Sequence, residues 1–212
     1  MSIRRKQYDR DYYETLAYRA IPNSQRNRNR LRGILAHKQG GKLLEIGCGK
    51  GEFLKLAEGY FDVEGMDISK HAIASTKPFF GKQVKRGNIE EENLVSDHYD
   101  VIVVFNVLEH LRQSGKVIEK IYHSLIKGGI VIGSVPHNSG LIGRVQTAIT
   151  NLFDRTHCST YPPHHWRASF RETGFRKIHF FGEVMLGRNF SIYIRNKFWK
   201  YVSFNLMFLC KK

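Results

Sequence analysis

The sequence predicts an α/β protein: three layers, with seven mostly parallel strands sandwiched between helices and an antiparallel hairpin at the C-terminal end. Two observations carry that expectation. Through the middle of the chain, short apolar runs rich in β-branched residues alternate with stretches of helical periodicity. Beyond Pro136 the alternation gives way to two more apolar runs close enough to pair with one another.

Lys42–Gly47, Val63–Asp67, Val101–Phe105 and Gly129–Pro136 are too uniformly apolar for strands with one wet face, so they read as buried parallel strands. A weaker strand, Gln83–Arg86, precedes Gly87. Between them lie helical segments at Glu52–Ala57, Lys70–Thr76 and Lys116–Leu125. In the last of these, Val117, Ile118, Ile121 and Leu125 recur at helical spacing ahead of Gly128-Gly129. Repeated strand, helix, strand implies right-handed crossovers in a doubly wound sheet. Further on, Pro163–Thr173 reads as a helix stopped by Gly174, and Lys177–Val184 and Phe204–Lys211 read as strands, with Arg188–Tyr201 between them.

The 212 residues show no linker, repeat or low-complexity tract, so one domain is expected over 1–212. Within it, 1–41 forms a basic helical segment, 42–136 the ligand-binding core, and 137–212 the opposite side of the cleft and the hairpin. Three cysteines at distant positions, Cys48, Cys158 and Cys210, make no disulfide framework and suit a reducing compartment. The start, "MSIRRKQYDRDYY", lacks the apolar stretch of a signal peptide, and Trp199–Cys210 is too short to span a bilayer as a helix. A cytoplasmic protein is expected. The net charge is +15, and it is unevenly spread. Residues 1–42 carry 11 Lys+Arg against 3 Asp+Glu, 43–136 carry 11 against 13, and 137–212 carry 12 against 3. A nearly neutral centre between basic flanks divides the chain into two jobs.

"LLEIGCGKGEF" places Gly47, Gly49 and Gly51 at alternate positions between a strand and a helix. Such a turn is expected to offer free backbone N–H groups and a helix N-terminus to an anionic ligand group. The pattern G-x-G-x-G departs from the dinucleotide fingerprint, because Glu52 follows Gly51. Asp67, twenty residues after Gly47, closes the next strand where a carboxylate can accept from both ribose hydroxyls. Glu45 adds a negative charge suited to a ligand amine. Together the three features describe an amino-acid nucleoside.

These residues resemble a family. E-x-G-x-G-x-G at Glu45–Gly51, "GMDIS" at Gly65–Ser69, "YDVIVVFNVLEHL" at Tyr99–Leu111 and "LIKGGIVIGSVP" at Leu125–Pro136 resemble the class I S-adenosylmethionine-dependent methyltransferases, in particular the small-molecule branch with the ubiquinone-biosynthesis enzymes. The resemblance runs from Leu43 to Gly174. It implies a Rossmann-like methyltransferase fold, S-adenosyl-L-methionine as cofactor and S-adenosyl-L-homocysteine as product. It also implies that Gly47, Cys48, Gly49 and Gly51 wrap the methionine moiety, Glu45 holds its amine, Asp67 takes the ribose, and Ile68 and Ile89 cover the adenine. Many relatives carry an Asp for the adenine amine; here Asn88 stands there with its amide oxygen as acceptor. Phe105 and Asn106 fall where such enzymes line the transferring methyl.

Methyl transfer from a sulfonium is an in-line displacement that rests on alignment and exclusion of water. An acceptor hydroxyl would also benefit from a base. Two histidines are candidates. His110 lies within a helical turn of Asn106, with packing as its other reading. His157, in "DRTHCSTYPPHHW", matches a D-x-x-H that borders the acceptor pocket in relatives, with Asp154 and Tyr161 as substrate-binding neighbours. The His and Cys residues of that stretch fit no closed zinc spacing, so no metal is expected.

The basic flanks point to an anionic acceptor, small or lipid-linked. "GRNFSIYIRNKFWKYVSF", Gly187–Phe204, reads either as a surface for anionic membrane, through Arg195, Lys197 and Lys200, or as a solvated basic helix on the sheet. The charge also favours an RNA or DNA methyltransferase. Against that reading, the fourth strand is followed by "NVLEHL", not by a base-amine Asn/Asp-Pro-Pro motif or a Pro-Cys nucleophile. A non-catalytic cofactor-binding protein is the third reading, since fold alone does not make an enzyme.

Overall fold

A computed structural model describes residues 8, 24–137, 158–186, 190–196 and 202–212. The first helix, α1 (Gln25–Leu35), is capped by Ser24, whose hydroxyl accepts from the Asn27 N–H at 3.2 Å. It is followed by β1 (Lys42–Ile46), α2 (Glu52–Ala57), β2 (Asp62–Asp67), α3 (Lys70–Phe80), β3 (Val84–Arg86) and β4 (Tyr99–Phe105). After a 3₁₀ turn at Leu108–His110 come α4 (Ser114–Ser124) and β5 (Leu125–Pro136). The remaining elements are α5 (Pro163–Thr173), β6 (Lys177–Leu186), β7 (Phe190–Ile194) and β8 (Asn205–Lys211).

The strands form one sheet in the order β3-β2-β1-β4-β5-β8-β6-β7. Strands β1 to β5 pair in parallel, and β8 lies antiparallel between β5 and β6. On one face Ile102, Val104 and Val131 pack with Ile118, Ile121 and Phe170 of α4 and α5. On the other, Val101, Val103 and Ile132 pack with Ile34, Phe53 and Leu54 of α1 and α2. Helices on both faces bury the whole width of these strands, which is why their sequences are continuously apolar.

Among the described residues the sheet has eight strands, one more than the seven expected. The extra one is β7, on the outer edge, in a stretch whose Arg and Lys flanks suggest a helix. Its alternation is inverted: Ser191 is buried at 1% exposure, while Phe190 and Ile192 are 45% and 46% exposed. A strand that turns its hydroxyl inward and its apolar side chains outward defeats a search for apolar periodicity. The expected hairpin partners β6 and β8 do pair, yet the hairpin proper is β6–β7. Helix α3 runs past Thr76 to Phe80 with Pro78 in its last turn. Helix α4 stops at Ser124, and β5 begins at once; Gly128, at φ +78°, lies within a shift of register between the Tyr99–Leu125 and Val101–Ile130 pairs.

Candidate functional site

The sheet delivers its chemistry-bearing residues to the carboxyl ends of β1, β2 and β4, where ligands sit in open α/β sheets. The Gly47–Gly51 turn is pinned there from all sides. Gly47 and Cys48 donate their N–H groups to the Met66 carbonyl at 2.7 and 3.1 Å, Gly51 donates to Cys48 O at 2.9 Å, and Gly49 donates to Asp67 Oδ2 at 2.9 Å. The expectation of free N–H groups at these four positions is therefore corrected: the fold itself uses them. What the glycines supply is backbone conformation and closeness. Gly47, Gly49 and Gly51 take φ of +78°, +52° and +78°. A Cβ at Gly47 would collide with Val107, and one at Gly51 would lie 2.7 Å from Thr76 Cγ2.

Asp67 is 5% exposed and holds two loops together, accepting from Gly49 at Oδ2 and from the Ser69 N–H at Oδ1, 2.8 Å away. Ser69 caps α3 through Ala72 and donates its own hydroxyl to the backbone carbonyl of Tyr8, whose ring meets His110 edge-on at 6.1 Å. Tyr8 thus bridges the ends of β2 and β4 across the cleft, a part that nothing in its sequence neighbourhood announces.

Ile68 is half-buried and Ile89 is 5% exposed, both beside the ends of β2 and β3. Asn88 forms a local turn: its Oδ1 accepts from the Glu90 N–H at 3.1 Å and its Nδ2 donates to Glu91 Oε1 at 2.9 Å. That oxygen serves one local partner and carries a second lone pair. Burial pushes the Cys48 thiol well above its ordinary range, which makes it a small packing residue and not a nucleophile. Asn106 holds φ +54°, unusual for a side-chain-bearing residue, and its Oδ1 accepts from Ser134 Oγ at 2.8 Å. Phe105 lies edge-on to Phe53 at 5.5 Å.

His110 sits half-buried in the 3₁₀ turn. Cys158 and Ser159 donate their N–H groups to Glu109 O at 2.8 and 2.9 Å, so the segment after His157 lies against this turn. His157 and Asp154 themselves are outside the described residues, as are Lys197 and Lys200. Tyr161 packs with its ring centroid 3.9 Å from that of His165 and edge-on to Trp166, on the rim of the core. Arg195 is exposed.

The residues that the sequence reading missed lie on α1 and the outer strands. Arg26 clamps the fully buried Glu183 of β6, Nε to Oε1 at 3.0 Å and Nη2 to Oε2 at 2.8 Å, while Asn205 Nδ2 donates to Oε2 at 2.9 Å. Arg30, one turn later, is 8% exposed and lies 3.9 Å over the Phe105 ring. Its Nε and Nη2, the same edge that Arg26 uses, have no partner among the described residues, and neither does Oε2 of the buried Glu45. Burial, and then the like charge of Arg26, lowers the Arg30 guanidinium to about 10. Burial also holds the Glu45 carboxyl well above the usual carboxylate range. An unpaired guanidinium edge over Phe105 and an unpaired carboxyl oxygen two residues before the glycine turn, each within the other's electrostatic reach, match a zwitterion, one carboxylate and one amine. The signal was available: Arg26 and Arg30 are spaced i, i+4 and so share a helix face.

Residues 9–179 match the model of a family described as a methyltransferase domain. Over 106 residues, 49% of the chain, the sequence is 31% identical to a Mycolicibacterium smegmatis protein named "Probable S-adenosylmethionine-dependent methyltransferase"; the chain spans about two-fifths of that relative, 41% of its length. The fold is similar to that of a SAM-dependent methyltransferase of Thermotoga maritima, with a TM-score of 0.70 at 15% identity over 88% of this chain and 89% of that one. A SAM-dependent methyltransferase of Archaeoglobus fulgidus gives 0.66 at 21% identity over 87% and 92%.

Proposed function

The chain belongs to the class I S-adenosylmethionine-dependent methyltransferases, and from that membership we propose that it moves a methyl group onto a small or lipid-linked anionic acceptor at the cleft above β1 and β4. The observation that carries the assignment of the cleft is the unpartnered pair Glu45 and Arg30 beside the glycine turn. Glu45 takes the cofactor's amine, Arg30 its carboxylate through the Nε/Nη2 edge, and Asp67 the ribose hydroxyls.

When bound, the cofactor supplies an electrophilic methyl on a sulfonium. The chain's residues do the rest. Phe105, edged by Phe53 and covered by Arg30, and Asn106, held by Ser134, form the floor of the reacting region. Tyr8, tied to Ser69, narrows the opening to water. His110, in the turn that follows Asn106, takes the acceptor's proton, with His157 as the second candidate for that task. The excess of Lys and Arg in both flanks supports an anionic acceptor. No helix among the described residues is long and apolar enough to cross a membrane, so contact with lipid would be peripheral.

Calorimetry with S-adenosyl-L-homocysteine on the pure protein tests the cofactor assignment, and transfer of labelled methyl into a small-molecule extract tests the activity. Binding and a labelled product are expected. Heat without a labelled product would leave a cofactor-binding protein and remove the enzyme. A pH–rate profile whose acid limb disappears in His110→Ala identifies the base; persistence of that limb moves the role to His157.

A further inference from the structure

Strand β7 presents two hydroxyls that neither the fold nor the cofactor reading employs. Ser191 Oγ and Tyr193 OH are buried and have no hydrogen-bond partner among the described residues. They stand two positions apart on one strand and therefore on the same side of it. Their placement is firm. The Ser191 carbonyl accepts from Asn29 Nδ2 of α1 at 2.8 Å, and the Tyr193 ring lies edge-on to Phe181 at 5.2 Å. Buried hydroxyls without partners cost about 1–3 kcal/mol each, so two of them facing one way call for an acceptor that the described residues do not provide.

The surrounding charge says what kind. The carboxylate acting on the Tyr193 phenol is Glu183, and the guanidinium groups acting on it are Arg30, Arg26 and Arg195. Glu183 is already consumed by Arg26 and Asn205. With Arg26 and Glu183 paired to each other, the charges left over near the two unpartnered donors are those of Arg30 and Arg195, both positive. Burial raises the Tyr193 phenol above its ordinary range, so it keeps its proton and donates.

We propose that the Ser191 and Tyr193 hydroxyls hold an oxyanion of the methyl acceptor, a carboxylate or a phosphoryl group, beside the Arg26–Glu183 junction. This rests on the methyltransferase reading, in which the Arg30 edge is taken by the cofactor's carboxylate and the acceptor's anion is left to β7 and the charge of Arg195.

The test titrates benzoate and phenyl phosphate, separately, into protein saturated with S-adenosyl-L-homocysteine. One of the two is expected to bind, and which one does separates a carboxylate from a phosphoryl acceptor. In Tyr193→Phe/Ser191→Ala that binding should weaken tenfold or more, while affinity for S-adenosyl-L-homocysteine and the melting temperature stay within twofold and a few degrees of the parent. Three results would overturn the proposal: neither probe binds, the double variant binds the probe as well as the parent, or the probe displaces S-adenosyl-L-homocysteine and depends on Arg30 alone. Failure of the parent to bind S-adenosyl-L-homocysteine at all is a different outcome, which removes the cofactor reading itself and this inference with it.

Discussion

Arg26 and Arg30 stand one turn apart on α1, each near a buried glutamate, and their surroundings make them opposites. At Arg26 the chain supplies every partner. Burial alone would raise the Glu183 carboxyl, but the charges of Arg26 and Arg30 and hydrogen bonds from Arg26 and Asn205 outweigh it and hold Glu183 at about 2. At Arg30 the neighbouring Glu45 is displaced the other way by burial, and the Arg30 Nε/Nη2 edge and Glu45 Oε2 have no partner among the described residues. The same residue types on the same helix thus make a joint in one place and a ligand cradle in the other. What separates them is whether the oxygen atoms that complete the guanidinium edge belong to the chain.

The largest test of this contrast is at the joint. Glu183→Ala leaves the half-buried Arg26 guanidinium and the Asn205 amide without their carboxylate and should cost about 3–5 kcal/mol in urea unfolding. A loss under about 1 kcal/mol would mean that the pair is no joint. At the cradle, Arg30→Met should weaken S-adenosyl-L-homocysteine by ~10- to 100-fold, the worth of a charged hydrogen-bonded contact. It should leave 5′-methylthioadenosine, which lacks the amino-acid end, unaffected. Equal losses for both compounds would take Arg30 out of the cradle. The apo protein should be no less stable, since an unpaired buried charge is replaced by an apolar chain of similar length.

Gly51→Ala probes the glycine turn on the cradle side. The strained φ and the 2.7 Å approach to Thr76 Cγ2 should cost about 1–3 kcal/mol, read as a lower melting temperature with weaker cofactor binding. The smallest effect is in the pH dependence. Glu183 has its folded value below its usual one, so its stabilisation is complete above pH 4.5 and drains away as pH falls toward 2. Glu45 has its folded value raised, so its contribution is present below 4.5 and is lost as pH rises above it. Glu45→Gln should therefore raise apo stability at neutral pH and flatten the curve on that side. An unchanged curve would place Glu45 in contact with water.

Much of the cofactor side was legible in the chain. The glycine turn and Asp67 at the end of β2 lie within twenty-odd residues, and each parallel strand is a short apolar run of its own. Asn88 shows the limit even there, because the sequence gives its amide oxygen as an acceptor but not the Glu90 N–H that this oxygen already serves. On the acceptor side little could be read. Arg26 and Glu183 are 157 positions apart, and β7 hides its inward Ser191 behind outward Phe190 and Ile192.

By itself the sequence determined what depends on local conformation: strand and helix periodicity, turns that need positive φ, and the spacing of the cofactor motifs. The tertiary structure alone decided which buried charges are completed by the chain and which are not. The reason is physical. Backbone preference is settled by a residue and its near neighbours, whereas the fate of a buried charge depends on atoms that folding brings up from the far end of the chain.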